Sequence, residues 1–132
     1  MTIRLVALDL DGTLLDPYGK LTPAVRGAVE RLSRGELRVV LCTGRRFRTA
    51  LPHAQALGLT GAIVVNNGAI VKDLATSETL QHAYLPDSEF DEVVAHVRWH
   101  GPPLVYLDTY RDGVDILTEH RDRAHPFQRE YV

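Results

Sequence analysis

The chain has 132 residues, 45% of them hydrophobic and 24% charged, with a formal net charge of −2. That length suits one ordinary domain, or one core plus part of a second, in the proportions of a soluble globular protein. No apolar run is long enough to span a bilayer, so neither a membrane-spanning chain nor a membrane partner is expected.

The first predicted element is the apolar, β-favouring run "IRLVALDL", residues 3–10, which reads as a parallel strand covered on both faces. It ends in "DLDGTLLD", which places two carboxylates, Asp9 and Asp11, where a core strand runs out. After a loop, Thr22 caps a helix that begins at Pro23, repeats Val25, Ala28, Val29 and Leu32 on one face, and stops at Gly35. "LRVVLC" is a second buried strand, and Cys42 at its end reads as a buried, inert thiol. A loop and a helical stretch follow, with Pro52 starting the regular part. "AIVVN" is a third strand. Strand, helix, strand, helix, strand with short connections predicts right-handed crossovers and a Rossmann-like parallel sheet with helices on its faces.

After Gly68, "AIVKD" and "TLQHAYL" form a hairpin around "LATSE". A helix follows, capped by Asp87 or Ser88, with Phe90, Val93, Val94 and Val97 on one face and Gly101 as its stop. "LVYLDTY" and "VDILTE" make a second hairpin around "RDG". Trp99 and Tyr106 read as packing residues of this second module, with stacking on a ligand as the alternative. The boundary falls near Leu85, giving a first part over 1–84 and an α/β module over 85–132.

Charge separates the two parts. Residues 1–85 carry ten Lys/Arg against seven Asp/Glu, and residues 86–132 carry five against ten. The basic part suits a small anion, and the acidic part argues against nucleic acid as a partner. His53, His82, His96, His100, His120 and His125 show no metal-ligand spacing and read as surface or interface residues. The start lacks the features of a secretory signal, and a lone cysteine forms no internal disulfide, which points to the cytoplasm.

Paired acids at a strand end have a chemical use. In an open parallel sheet, ligands bind beyond the carboxyl ends of the strands, where Asp9, Thr43 and Asn66–Asn67 all fall. Asp9 there can attack a phosphoryl group, and Asp11 can protonate the leaving oxygen and then deprotonate the attacking water. Gly12 permits the tight turn, and the amides after it can bind phosphate oxygens. Two anions facing a phosphate call for a hard divalent cation between them, magnesium being the best match. In "CTGRR", the Thr43 hydroxyl and Gly44 amide would hold the phosphoryl group. Arg45 either adds charge there or at the mouth of the site, or lies with Arg46 and Arg48 on a solvated helix face. Asn67 either lines the crevice or serves only its turn.

"DLDGTLL", "TGR" and "NGA", in this order, resemble the haloacid dehalogenase superfamily of phosphohydrolases, and its Cof-type group in particular. The resemblance implies an HAD-like core with an inserted α/β cap beginning near residue 85. It implies Asp9 as nucleophile, Asp11 as general acid/base and Thr43 as phosphate-binding residue. Asp9 and the main-chain carbonyl of Asp11 would be magnesium ligands. The substrate expected is a small phosphorylated metabolite of the sugar-phosphate kind. The family also has a lysine motif and an acidic pair after the cap, which nothing here matches: Lys20 and Lys72 stand in other contexts, and Asp112 and Asp115 fall inside the second hairpin region. The expectation is therefore a truncated form that lacks the C-terminal part of the core and has weak or no activity alone, or else a chain that pairs with another chain or a second copy. A non-catalytic binding fragment and a phosphomutase remain as alternatives to the phosphatase.

Overall fold

The computed structural model describes residues 3–35, 37–111 and 114–119. Asp112 and everything from His120 onward lie outside these. The chain divides into two units, Met1–Ala83 and Tyr84–Val132.

In the first unit the elements are β1 (Leu5–Leu8), α1 (Pro23–Ser33), β2 (Arg38–Leu41), α2 (Phe47–Ala56), β3 (Ala62–Val65), β4 (Ile70–Asp73) and β5 (Thr79–His82). β1 and β2 run parallel, with Leu5 opposite Arg38 and Leu8 opposite Leu41. A parallel bridge between Cys42 and Val64 extends the order to β3. β4 then pairs antiparallel with β3 on one side and with β5 on the other, so the expected hairpin continues the sheet.

The core is built from Leu10, Leu14 and Leu15 after β1, Val29 of α1, Val39 and Leu41 of β2, Ala50 and Ala54 of α2, and Ile63 and Val65 of β3. β1 itself departs from expectation. It spans four residues rather than eight, and Leu5 is 53% exposed, so its strand is not covered on both faces. Side chains alternate between faces along a strand: Val6 and Leu8 are half-buried, with Leu8 against the core, while Leu5 and Ala7 lie exposed on the other face.

α1 forms as its sequence dictates. The Thr22 hydroxyl oxygen accepts from the Val25 amide (3.3 Å), Pro23 takes the first helical position, and Val29 is buried with Val25 and Leu32 packed beside it. α2 corrects the reading of Pro52, which lies inside the helix rather than at its start. Thr49 and Ala50 already donate to the Arg46 carbonyl (3.1 and 3.0 Å), and the fully buried Ala50 and Ala54 anchor the helix on both sides of the proline. Tertiary packing there outweighs the one backbone bond that proline cannot make.

The second unit holds α3 (Asp87–Arg98), β6 (Leu104–Arg111) and β7 (Val114–Thr118), the two strands pairing antiparallel. The cap of α3 is Pro86 and not Asp87 or Ser88. Proline's fixed φ holds the extended entry, and the Pro86 carbonyl accepts from Glu89 and Phe90, which leaves Asp87 and Glu89 to favour the positive end of the helix dipole. Trp99 is 88% exposed and Tyr106 is also exposed, so neither packs as expected. Tyr84 donates to Asp108, and Arg98 pairs with Glu119. No helix among the described residues is long and apolar enough to cross a membrane.

The N-cap gives a direct test. Thr22→Ala should cost about 1 kcal/mol in urea denaturation, while Thr22→Ser should retain most of the wild-type stability.

Candidate active site

Strand register decides which residues can meet. Leu8 lies opposite Leu41, and the Cys42 amide donates to the Leu8 carbonyl (2.8 Å), so Asp9 emerges beside Cys42. The negative charge of Asp9 reaches the Cys42 thiol, which burial and that charge together push up. Cys42 is half-buried rather than buried, and stays a protonated, weak nucleophile. One residue on, the Thr43 amide donates to the Val64 carbonyl (3.0 Å), which sets Thr43 level with the end of β3. The register thus puts Asp9, Thr43 and Asn66–Asn67 at neighbouring carboxyl ends.

The segment Leu10–Leu14 is a turn of helix-like chain whose regular geometry breaks at Asp11 (φ −79°, ψ 123°) and Gly12 (φ 75°). Leu10 and Leu14 are buried and pin the turn from below, while Asp9, Asp11, Gly12 and Thr13 stay exposed above. The positive φ at Gly12 is what the sequence demanded of glycine there.

Thr43 is only 4% exposed. Its hydroxyl oxygen accepts from the Arg45 amide (3.2 Å), which fixes the side chain and leaves the hydroxyl proton to be aimed at an anion. Two backbone clasps hold the neighbouring loop: the Asn66 amide donates to the Arg45 carbonyl (3.0 Å) and the Asn67 amide to the Thr43 carbonyl (3.2 Å). Asn66 and Asn67 both have positive φ (51° and 55°), a conformation that asparagine tolerates better than other side chains. The Asn67 side chain lies so close over Gly44 that a Cβ there would meet Asn67 Oδ1 at 2.7 Å. Glycine in "TGR" is thus a packing requirement as well as a candidate phosphate contact.

Arg45 is not on a solvated face. Its Nε donates to Asp11 Oδ2 and its Nη2 to Asp11 Oδ1, both at 2.7 Å, a bidentate fork. Its Nη1 lies 3.1 Å from His53 Nε2. Arg46 is buried, and Arg48 alone of the three arginines is exposed. The Arg45 hydrogen bonds hold the Asp11 carboxyl below the ordinary carboxylate value, against the opposing effect of burial and helped by the Arg45 charge. Burial, then the Arg45 charge, hold the His53 imidazole below its ordinary value. A depressed carboxyl contributes stability above its unfolded pKa, near 3.8, and loses it as pH falls through the folded value. With the Asp11 side chain 56% exposed, that contribution is about 0–1 kcal/mol.

His53 is the member that sequence reasoning missed, since nothing in its spacing signals a partner eight residues back. Lys72 is 6% exposed, donating from Nζ to Thr79 Oγ1 (2.8 Å) and to the Ser77 carbonyl (3.2 Å), with its ammonium 5.6 Å above the Phe47 ring. It closes the β4–β5 hairpin rather than facing the strand ends.

Parallel strands joined through helices, with acids, a hydroxyl and a guanidinium at their carboxyl ends, define an α/β protein whose candidate site lies where open parallel sheets bind ligands. A sequence profile for haloacid dehalogenase-like hydrolases matches residues 6–130. An HMP-PP phosphatase of Serratia proteamaculans is 37% identical over 109 residues, covering 83% of this chain and 38% of the relative. A pyridoxal phosphate phosphatase of Escherichia coli is 35% identical over 111 residues, covering 82% of this chain and 40% of the relative. The crystal structure of a haloacid dehalogenase-like hydrolase from Bacteroides thetaiotaomicron superposes with a TM-score of 0.76 at 25% identity, over 98% of this chain and 48% of that one. The chain belongs to the haloacid dehalogenase-like hydrolases, in their Cof-type group, and spans less than half the length of these relatives.

Two outcomes check the geometry. Arg45→Gln should raise the Asp11 titration midpoint toward 3.8, read from its carboxyl carbon by NMR; an unmoved midpoint contradicts the fork. Gly44→Ala should displace the Asn67 amide, and combining it with Asn67→Gly should recover about 0.5 kcal/mol or more relative to the sum of the single changes.

Proposed function

We propose that this chain carries the nucleophile-bearing part of a magnesium-dependent phosphatase that hydrolyses a small phosphorylated metabolite through an aspartyl phosphate. Residues up to about 84 would be the N-terminal part of the catalytic core, and those from 85 the start of the cap that selects the substrate. The observation that carries the reading is the placement of Asp9 and Asp11 on one short turn beside Thr43, with Arg45 forked onto Asp11. The relatives named for HMP-PP and pyridoxal phosphate support a small phosphorylated substrate and differ in which one, so the class is proposed and not the compound.

In this mechanism an Asp9 carboxylate oxygen bonds to phosphorus as the bond from phosphorus to the leaving oxygen breaks, and the Asp11 carboxyl gives that oxygen its proton. Asp11, now ionised, takes a proton from water, whose oxygen attacks the acyl phosphate and releases phosphate and free Asp9. Thr43 and Gly44 orient the phosphoryl oxygens. Arg45 ties the two halves together. Paired to Asp11, it favours the ionised form that the second half-reaction needs. An incoming phosphate dianion competes for the guanidinium and lets Asp11 hold the proton needed in the first.

The donors suit a hard cation in kind. Asp9 offers an exposed carboxylate, and the extended ψ of Asp11 turns its carbonyl away from the helical direction. Magnesium held there would offset the charge of Asp9 and the phosphate. Among the described residues no three His, Cys, Asp or Glu side chains form a metal-holding group, so these oxygens would be only part of its shell.

The same observation favours a second reading, a module that binds phosphate without turning it over.

Hydrolysis of an aryl phosphate decides between them. Turnover should need magnesium, fall to background in Asp9→Asn, and drop roughly 10²–10⁴-fold in Asp11→Asn. An Asp9→Asn protein with undiminished turnover would sink the assignment, and a folded wild type with none would favour the binding module.

A further inference from the structure

We propose that His53 is a positioning residue of this site, holding the Arg45 guanidinium from the α2 side so that its opposite edge stays forked on Asp11. A guanidinium has only donors, so the 3.1 Å contact between Arg45 Nη1 and His53 Nε2 requires Nε2 to be the acceptor. The ring is then neutral, with its proton on Nδ1.

The two sides of Arg45 have different roles. Nε and Nη2 face Asp11, on the turn after β1, while Nη1 faces His53, in the last turn of α2. An exposed ion pair between flexible side chains is weak because fixing the side chains costs entropy that a high dielectric does not repay. The Asp11 side chain is exposed and that of Arg45 is not. A third contact from a ring seated on a helix removes much of that freedom before Asp11 is engaged. It also fixes the plane of the guanidinium, on which a bidentate fork depends. His53 touches neither Asp9 nor Asp11 in these contacts, so it acts through Arg45.

The structural inference stands on the contacts alone, while its effect on turnover rests on the phosphatase reading. Leucine and glutamine are close in size, and only glutamine carries an acceptor near the place of Nε2. The probe is the Arg45 Nε–H signal of the full chain labelled with nitrogen-15, assigned by its loss in Arg45→Lys. Its solvent exchange should accelerate about tenfold in His53→Leu, the order expected for losing one charge-assisted hydrogen bond, and stay near wild type in His53→Gln. Wild-type exchange in His53→Leu overturns the inference. Equal acceleration in both proteins also overturns it, because packing and not an acceptor would then be responsible. If His53→Leu fails to fold, His53→Ala serves as the acceptor-free protein with the same two outcomes. In the turnover arm, His53→Leu should lower kcat more than it raises KM, and His53→Gln should restore kcat. A wild type without turnover counts against activity of this chain on its own and not against the contact, since the exchange arm still decides the role of His53.

Discussion

The parallel register of β1, β2 and β3 is the constraint on which the site depends. Leu8 opposite Leu41, then Cys42 opposite Val64, brings three chain segments to one level, and the residues that follow each strand must then be neighbours. Nothing in the side chains of Asp9, Thr43 or Asn67 could produce that convergence. It comes from backbone pairing, stabilised by the buried Leu41, Ile63 and Val65 beneath. Strand ends are also where polar side chains cost least, since the buried layer stops there and solvent begins. The same sheet therefore supplies a rigid floor and an exposed, charged rim.

The elements legible in the sequence were those written in local chemistry. Thr22-Pro23 announces a helix start because a hydroxyl acceptor and a fixed φ suit that position regardless of the rest of the chain. The β4–β5 and β6–β7 hairpins follow from short β-favouring runs around polar turns. The pairing of the acids with a glycine marks the candidate site for the same local reason. Pro52 and Asp87 mislead because a local preference there competes with something stronger. Ala50 and Ala54 pack α2 across the proline, and Pro86 takes the capping position one residue ahead of the acid. The exposure of one face of β1 depends on what packs over that face, which residues 3–10 alone do not encode. His53 was illegible for a further reason. Arg45 precedes its helix, and whether its side chain turns toward Asp11, toward His53 or into solvent depends on three-dimensional distances alone.

The electrostatics of Arg45 and Asp11 bear on both candidate functions. A carboxyl that alternates between acid and base must not be held too firmly in either form. A buried, fully paired Asp11 would stay ionised and could not give up a proton. An exposed and unpaired one would lack a fixed direction. The fork here lies between these extremes: geometrically strong, bidentate and short, yet set where solvent screens it. In the phosphatase reading, an anion held by Thr43 and Gly44 would compete with Asp11 for the same guanidinium, and binding and release of Asp11 would be coupled through one side chain. The excess of Lys and Arg in residues 1–85 adds a diffuse attraction for such an anion. For a module that only binds, the pairing is simply a neutralised rim. For an enzyme, it would be the means by which substrate arrival changes the state of the proton donor.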